Sequence, residues 1–199
     1  MTLFPFYEDI EGKTFLVIGG GKVAKEKIGR LRLFTDKIIV VAKETDIRDA
    51  DVRQKAFEDS DLALGDICIV ATPDRQLNSH IAALCQKQGI PVNVVDDRNL
   101  CSFIFPSIVK RGDLTVSITT AGKSPAYAQK LRREIEAALP EHIEDILDRM
   151  EKLRGIVPEY IIEQRTRGNL YKQLLERMLE TENRVTDEEL LEMIKEAQE

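Results

Sequence analysis

The chain has 199 residues, 43% of them hydrophobic and 32% charged, with a net charge of −6. This composition suits one large folded domain or two small ones, and it lacks the clustered basic surface that nucleic acid requires. No apolar run nears the ~20 residues of a membrane span, and the N-terminus MTLFPFYEDIEGK has neither the basic nor the long apolar stretch of a signal peptide. Three widely spaced cysteines, Cys68, Cys85 and Cys101, with no CxxC pair, suit a reducing cytoplasm. The acidity is local: residues 176–199 hold nine acids and three bases, and the remainder balances.

Strand and helix patterns alternate through the first half. Thr14–Ile18 is a short apolar run ending in Gly19, and Val23–Phe34 has helical spacing. Lys37–Ala42 and Ile67–Thr72 read as further strands, with a short one expected in Val52–Phe57. Leu77–Gln88 reads as a helix stopping at Gly89, and Pro91–Val95 as another strand. Continuously apolar strands separated by helices imply a parallel sheet covered on both faces, the doubly wound α/β class. After Asp97 the pattern changes. Phe103–Arg111 and Leu114–Thr119 form two strand-like runs joined by Gly112-Asp113, suited to a type II′ hairpin. Ser124 and Pro125 then open a helix that Pro140 closes. Helical patterns follow over 141–154, 158–180 (with a break near Gly168) and 187–197, the last opened by a Thr186/Glu189 capping box. The expected organisation is a Rossmann-like domain over 1–113, a small α+β segment over 114–145 and a helical domain over 146–199.

Gly19-Gly20-Gly21-Lys22-Val23-Ala24 fits G-x-G-x-x-A between a strand and a helix. The first glycine makes a tight turn, the next lets a pyrophosphate approach the backbone, and the small last residue lets helix and strand pack closely. The helix N-terminus offers free N–H groups and partial positive charge to phosphates. A tight turn without a ligand is the competing reading. The acid that holds a ribose is due about twenty residues on. Lys43 and Glu44 fall there, and the balance favours NAD over NADP. The third apolar strand ends Ala71-Thr72-Pro73-Asp74, so Thr72 and Asp74 are candidates for the nicotinamide side, with helix capping the equal alternative for Asp74. The next strand reaches Asp96-Asp97, where acids at a strand tip either perform acid–base work or serve as solvated turn and cap residues.

GGGKVAKEK, ATPD, VNVVDD, CSFIFPSIVKRGDLTVSITTAGKSPAYAQKLRREIE and the following LP, in this order from Leu3 to Pro140, resemble the precorrin-2 dehydrogenase family. That family is the stand-alone form of the N-terminal half of siroheme synthase, whose fused versions also chelate metal. The resemblance implies an NAD-dependent oxidation of precorrin-2 to sirohydrochlorin by a homodimer. It puts the catalytic aspartate on Asp96, cofactor positions on Lys22, Val23, Lys43 and Glu44, and a tetrapyrrole position on Thr120. A polycarboxylate substrate would further suit Arg111, Gly122, Lys123 and the Ser124 helix start. Asp96 as general base would profit from a partly dry strand tip, where desolvation raises a carboxyl pKa. Lys130, Arg132 and Arg133 are weaker candidates that also read as a charged helix face. No His or Cys spacing indicates a metal site, so dehydrogenation alone is favoured over a bifunctional dehydrogenase and ferrochelatase. A non-catalytic NAD-sensing module is the remaining alternative. Neither a nucleic-acid nor a membrane partner is expected.

Overall fold

The computed structural model describes residues 3–198. The chain divides into two compact units, 1–105 and 106–199. This division falls ahead of position 113 because the two strands beyond it pair only with each other.

The first unit is a five-stranded sheet, all parallel, in the order β3-β2-β1-β4-β5. Its elements are β1 (Phe15–Ile18), α1 (Lys22–Leu31), β2 (Ile38–Ala42), β3 (Asp51–Gln54), β4 (Ile67–Val70), α2 (Arg75–Gln88) and β5 (Val92–Val94). A 3₁₀ segment of six residues over Asp59–Leu64, which the charged sequence did not reveal, precedes β4. Alternate side chains of the continuous apolar strands divide between two cores. Phe15, Val17, Ile67 and Ile69 join Ala24, Ile28 and Leu31 of α1 on one face. Leu16, Ile18, Cys68 and Val70 join Ile81, Ala82 and Cys85 of α2 on the other. Such strands are apolar at every position because both faces are roofed.

β5 has one strand neighbour, β4. Its outer edge is met by the segment that returns along it. Ser102 N donates to Val92 O (2.9 Å), Val92 N to Ser102 Oγ (2.8 Å) and Asn93 Nδ2 to Phe103 O (3.0 Å). Phe103 and Phe105, expected within a strand, pack instead against the α1-side core, their ring centroids 5.8 Å apart. The strand begins only at Ser107, after Pro106, which has no N–H to give to a ladder.

In the second unit β6 (Ser107–Arg111) and β7 (Leu114–Ile118) form an antiparallel hairpin. Its turn has φ +50° at Gly112 and no positive φ at Asp113, the pattern expected of type II′. Helices α3 (Pro125–Ala138), α4 (Ile143–Tyr160), α5 (Gln164–Glu180) and α6 (Asp187–Glu196) follow. Two boundaries differ from the sequence reading. α4 runs through Pro158 to end two residues later, so the proline costs a bond only in the last turn. α5 begins at Gln164 and is unbroken at Gly168. Ile146, Leu153 and Val157 of α4, Leu170, Leu174 and Met178 of α5, and Leu190 and Ile194 of α6 make one core. Arg149 fastens the connection between α5 and α6. Its guanidinium donates to Asn183 Oδ1 (2.8 Å), Val185 O (2.9 Å) and Asp187 Oδ1 (2.7 Å). No helix of the described residues is long and apolar enough to cross a membrane.

Arg149→Met keeps most of the aliphatic stem and removes these bonds. Chemical denaturation should show a loss of about 2 kcal/mol, the scale of bonds to a charged donor in a half-buried site; a midpoint equal to the wild type would show that the helical core alone holds α6.

Candidate functional site

Parallel strands bring their C-terminal tips to one sheet edge. Here the ladder continues past the strands: Gly19 N donates to Val41 O (2.9 Å), Ala71 N to Ile18 O (2.8 Å) and Val95 N to Val70 O (2.9 Å). The glycine turn, the Ala71–Asp74 turn and the turn carrying Asp96 therefore share an edge.

The three glycines have different physical reasons. Gly19 has φ +117°, and a Cβ there would lie 2.3 Å from Ala71 O. A Cβ on Gly20 would lie 2.5 Å from both Glu44 O and Thr45 Cβ. Both are demanded by the turn itself. Gly21 is not: its φ of −82° is open to any residue, and a Cβ there meets nothing within 4 Å. Gly21 is the N-cap of α1 without a side-chain cap, and the first turn of α1 holds no acid. α2, α3 and α6 are capped by the side chains of Asp74, Ser124 and Thr186. Ala24, the small residue closing the motif, is buried against the sheet. Free N–H groups behind an open cradle fit a dinucleotide pyrophosphate. Lys22 and Val23 stand exposed beside it.

Lys43 and Glu44 are exposed just past β2. Asp46, the other acid nearby, is paired with Lys25, whose hydrogen bond holds its carboxyl below the usual range. At the tip of β4, Thr72 Oγ1 donates to Asn78 Oδ1 (2.5 Å), and Asn78 Nδ2 returns a bond to Thr72 O (3.0 Å). Asp74 Oδ1 accepts from Gln76 N (2.9 Å) and Leu77 N (3.0 Å), so its carboxylate caps α2.

The two acids beyond β5 have separate fates. Asp97 caps the one-turn helix 98–100 through Asn99 N (3.1 Å). Asp96 stands in left-handed backbone (φ +61°) and is exposed, so within this unit its tip is not the dry environment expected of it. It borders a cavity of about 240 Å³ lined by Arg75, Asn78, Val94, Val95, Asp96, Asp97 and Leu100. Two neighbours of this turn went unnoticed in the sequence. Cys101 is buried under it, and burial pushes its thiol up, so it stays protonated. Lys27 of α1 is half-buried, its Nζ 4.0 Å above the Phe105 ring. Burial and then the Arg30 charge lower its pKa to about 8, against smaller opposing pulls from Cys101, Asp96 and Glu26. Residues so far apart in sequence give no local pattern.

In the second unit Ala121 (φ +53°) and Gly122 (φ +79°) form a consecutive left-handed pair before α3. Thr119 Oγ1 accepts from Ala121 N (3.0 Å), Thr120 Oγ1 from Ser124 N (3.0 Å), and Ser124 Oγ from Tyr127 N (3.2 Å). Thr120, Gly122, Lys123 and Ser124 thus belong to one tight loop, while Arg111 ends β6, exposed. Lys130 and Arg132 pair along their own helix with Glu134 (3.6 Å) and Glu136 (2.5 Å), and Arg133 Nε reaches Gln129 O (3.5 Å), as a charged helix face does.

Residues 6–107 match the family model described as "Putative NAD(P)-binding", and residues 111–138 match "Sirohaem biosynthesis protein central". The chain is 35% identical over 184 residues to a siroheme synthase of Thioalkalivibrio sulfidiphilus, covering 88% of this chain and 38% of that one. It is 40% identical over 146 residues to the siroheme synthase of Ectopseudomonas mendocina, covering 70% and 32%. It therefore spans less than two-fifths of the curated relatives it matches. Among solved structures, SirC, a precorrin-2 dehydrogenase, superposes with TM-score 0.69 at 20% identity over 98% of both chains, which shows a shared fold.

Unfolded lysine releases its proton at 10.5 and native Lys27 near 8. The native state thus binds fewer protons in that window, and the burial penalty is full below pH 8 and relieved as pH rises. Lys27→Met should therefore raise the urea midpoint over wild type at pH 7 and lose that advantage by pH 10.5; a variant less stable than wild type at pH 7, where the native amine is charged, would show that the ammonium is a net stabiliser.

Proposed function

The chain belongs to the NAD(P)-binding family that its first half matches, and from that premise we propose that it oxidises precorrin-2 to sirohydrochlorin, with NAD accepting the hydride, as a step in siroheme synthesis. The observation that carries this reading is the shared sheet edge: an uncapped helix N-terminus behind Gly21, at the tip of β1, and the carboxylate of Asp96, at the tip of β5, lie on the same edge of one parallel sheet with β4 between them. The siroheme synthase relatives and the match of residues 111–138 to the sirohaem central model support the choice of substrate.

The N–H groups opening α1 would hold the pyrophosphate beside Gly21, with Lys22 and Val23 near it. Glu44 accepts from the adenosine ribose, the role Asp46 gives up by pairing with Lys25. That leaves NAD favoured, with Lys43 beside it. Thr72, oriented by buried Asn78, lines the nicotinamide end, and Asp74 keeps α2 in place. Bound NAD supplies a two-electron acceptor. Asp96 takes the proton that the macrocycle loses from a position neighbouring the hydride donor and passes it to water. The protein thus ends unchanged, and the substrate loses one hydride and one proton. Asp97, spent on its cap, does not substitute for it. In the second unit the proposed carboxylate contacts are Thr120, Gly122, Lys123 and Ser124, with Arg111; the charges of Lys123 and Arg111 supply the attraction.

The same reading makes residues 1–113 the cofactor domain, 114–145 the dimerisation segment and 146–199 a helical domain. The hairpin packs against α3 yet has one fully buried hydrophobic residue, Val109, and its other apolar side chains stay part-exposed, which supports pairing in a homodimer. Three free, buried cysteines suit a reducing cytoplasm.

Two substitutions test this. Gly21→Ala fills only the cradle. It should leave Tm within about 2 °C while weakening NAD binding roughly tenfold by titration; unchanged affinity would favour a turn with no ligand. Asp96→Asn tolerates the left-handed backbone that alanine would strain. It should lower kcat about 10²- to 10⁴-fold, as loss of a general base does, with NAD affinity kept; an anaerobic assay showing wild-type formation of sirohydrochlorin would remove Asp96 from the reaction.

A further inference from the structure

The turn that presents Asp96 is short, exposed and partly left-handed, so something must hold its shape. The backbone ladder ends at Val95, whose N–H is the last to reach β4, at Val70 O (2.9 Å). Beyond that point one buried side chain touches both ends of the turn. Cys101 Sγ accepts from Val94 N (3.2 Å) and lies 3.2 Å from Val94 O and 3.3 Å from Asp97 O. Asn93 Nδ2, itself anchored on Phe103 O, lies 3.6 Å from the same sulfur. Asp96 sits between the two residues so joined.

We propose that Cys101 is the positioning residue of this site: its thiol, bonded at once to Val94 and to the far side of the turn, sets the backbone on which Asp96 stands. The inference rests on the reading of Asp96 as the base. A thiol has one proton, so it donates to Val94 O or Asp97 O while its lone pairs meet Val94 N. Burial keeps that proton in place, and the nearby Lys27 charge does not outweigh it. Val94, Val95, Asp96, Asp97 and Leu100 supply five of the seven residues around the cavity, so the bond also shapes the wall the substrate would meet. Ser102, the next residue, fastens Val92 in the same way, accepting from Val92 N (2.8 Å) and donating to Val92 O (3.3 Å). Two successive side chains thus replace the missing sixth strand, and the thiol is the one at the reactive end.

A packing role and a positioning role predict opposite orders for two variants. Cys101→Val keeps an apolar side chain and loses both bonds; Cys101→Ser keeps donor and acceptor and is the poorer core residue. Under positioning, Cys101→Val lowers kcat for precorrin-2 about tenfold or more, the scale of a small misplacement of a reacting group. NAD affinity stays within about twofold, and the Val94 amide loses hydrogen-exchange protection. Cys101→Ser restores kcat to within about threefold and restores protection. Wild-type kcat and unchanged Val94 protection in Cys101→Val overturn the proposal, as does a serine variant no better than valine. Should valine not fold, Cys101→Ala read against serine by the same exchange measurement decides it. Activity in Asp96→Asn would instead strike the catalytic reading, which the Val94 exchange data do not depend on.

Discussion

The close approach of β1 and β4 at their C-terminal tips governs everything built above them. Gly19 lies where any side-chain carbon would overlap the Ala71 carbonyl, and Gly20 is pressed equally hard against the chain after β2. Three strands can converge there only because two residues have no Cβ. That convergence turns the chain out of the sheet and starts α1 over open space rather than over another backbone. An entropic cost in the unfolded state, larger for glycine than for any other residue, is accepted at Gly19 and Gly20 for packing alone. Gly21 carries the same cost with no packing return, which makes it the glycine whose presence points to a ligand.

The acids of the first unit show how a charged sequence is sorted by structure. Asp74 and Asp97 satisfy helix N-termini, Asp46 pairs with Lys25, and buried Asp61 accepts from Glu58 N (2.8 Å) and Lys55 Nζ (2.9 Å). Each of these carboxylates already accepts from a backbone N–H group or a lysine in its own surroundings. The sorting leaves Asp96 at the edge of the cavity and Glu44 exposed just past β2. Selectivity among equivalent-looking residues thus comes from backbone donors nearby, not from the carboxylates themselves.

The half-buried lysine on α1 belongs to the same economy of charge. Its ammonium is held by the face of Phe105 rather than by a carboxylate in contact. A ring face compensates a desolvated cation only in part, so a partly compensated positive charge lies within reach of the Asp96 turn. The second unit has no such tension: Arg149 is bonded by side chains and carbonyls on one short connection, and its core follows plain i, i+4 spacing.

The sequence by itself determined the alternation of strand and helix, the glycine turn, the helix caps at Ser124 and Thr186, and the hairpin turn at Gly112. Each of these is written in residues a few positions apart, where local sterics and hydrogen bonding decide. The spacing could not separate Asp96 from Asp97, nor Asp74 the ligand from Asp74 the cap, because those differences depend on which N–H group a folded backbone points at each oxygen. It also gave no sign that Phe103 and Phe105 leave the strand, since only the α1-side core offers them burial. The cluster of Lys27, Phe105, Cys101 and Asp96 was decided by tertiary structure alone: a parallel sheet with crossover helices brings residues from positions 27 to 105 to one place, and no periodicity in a linear chain records such a meeting.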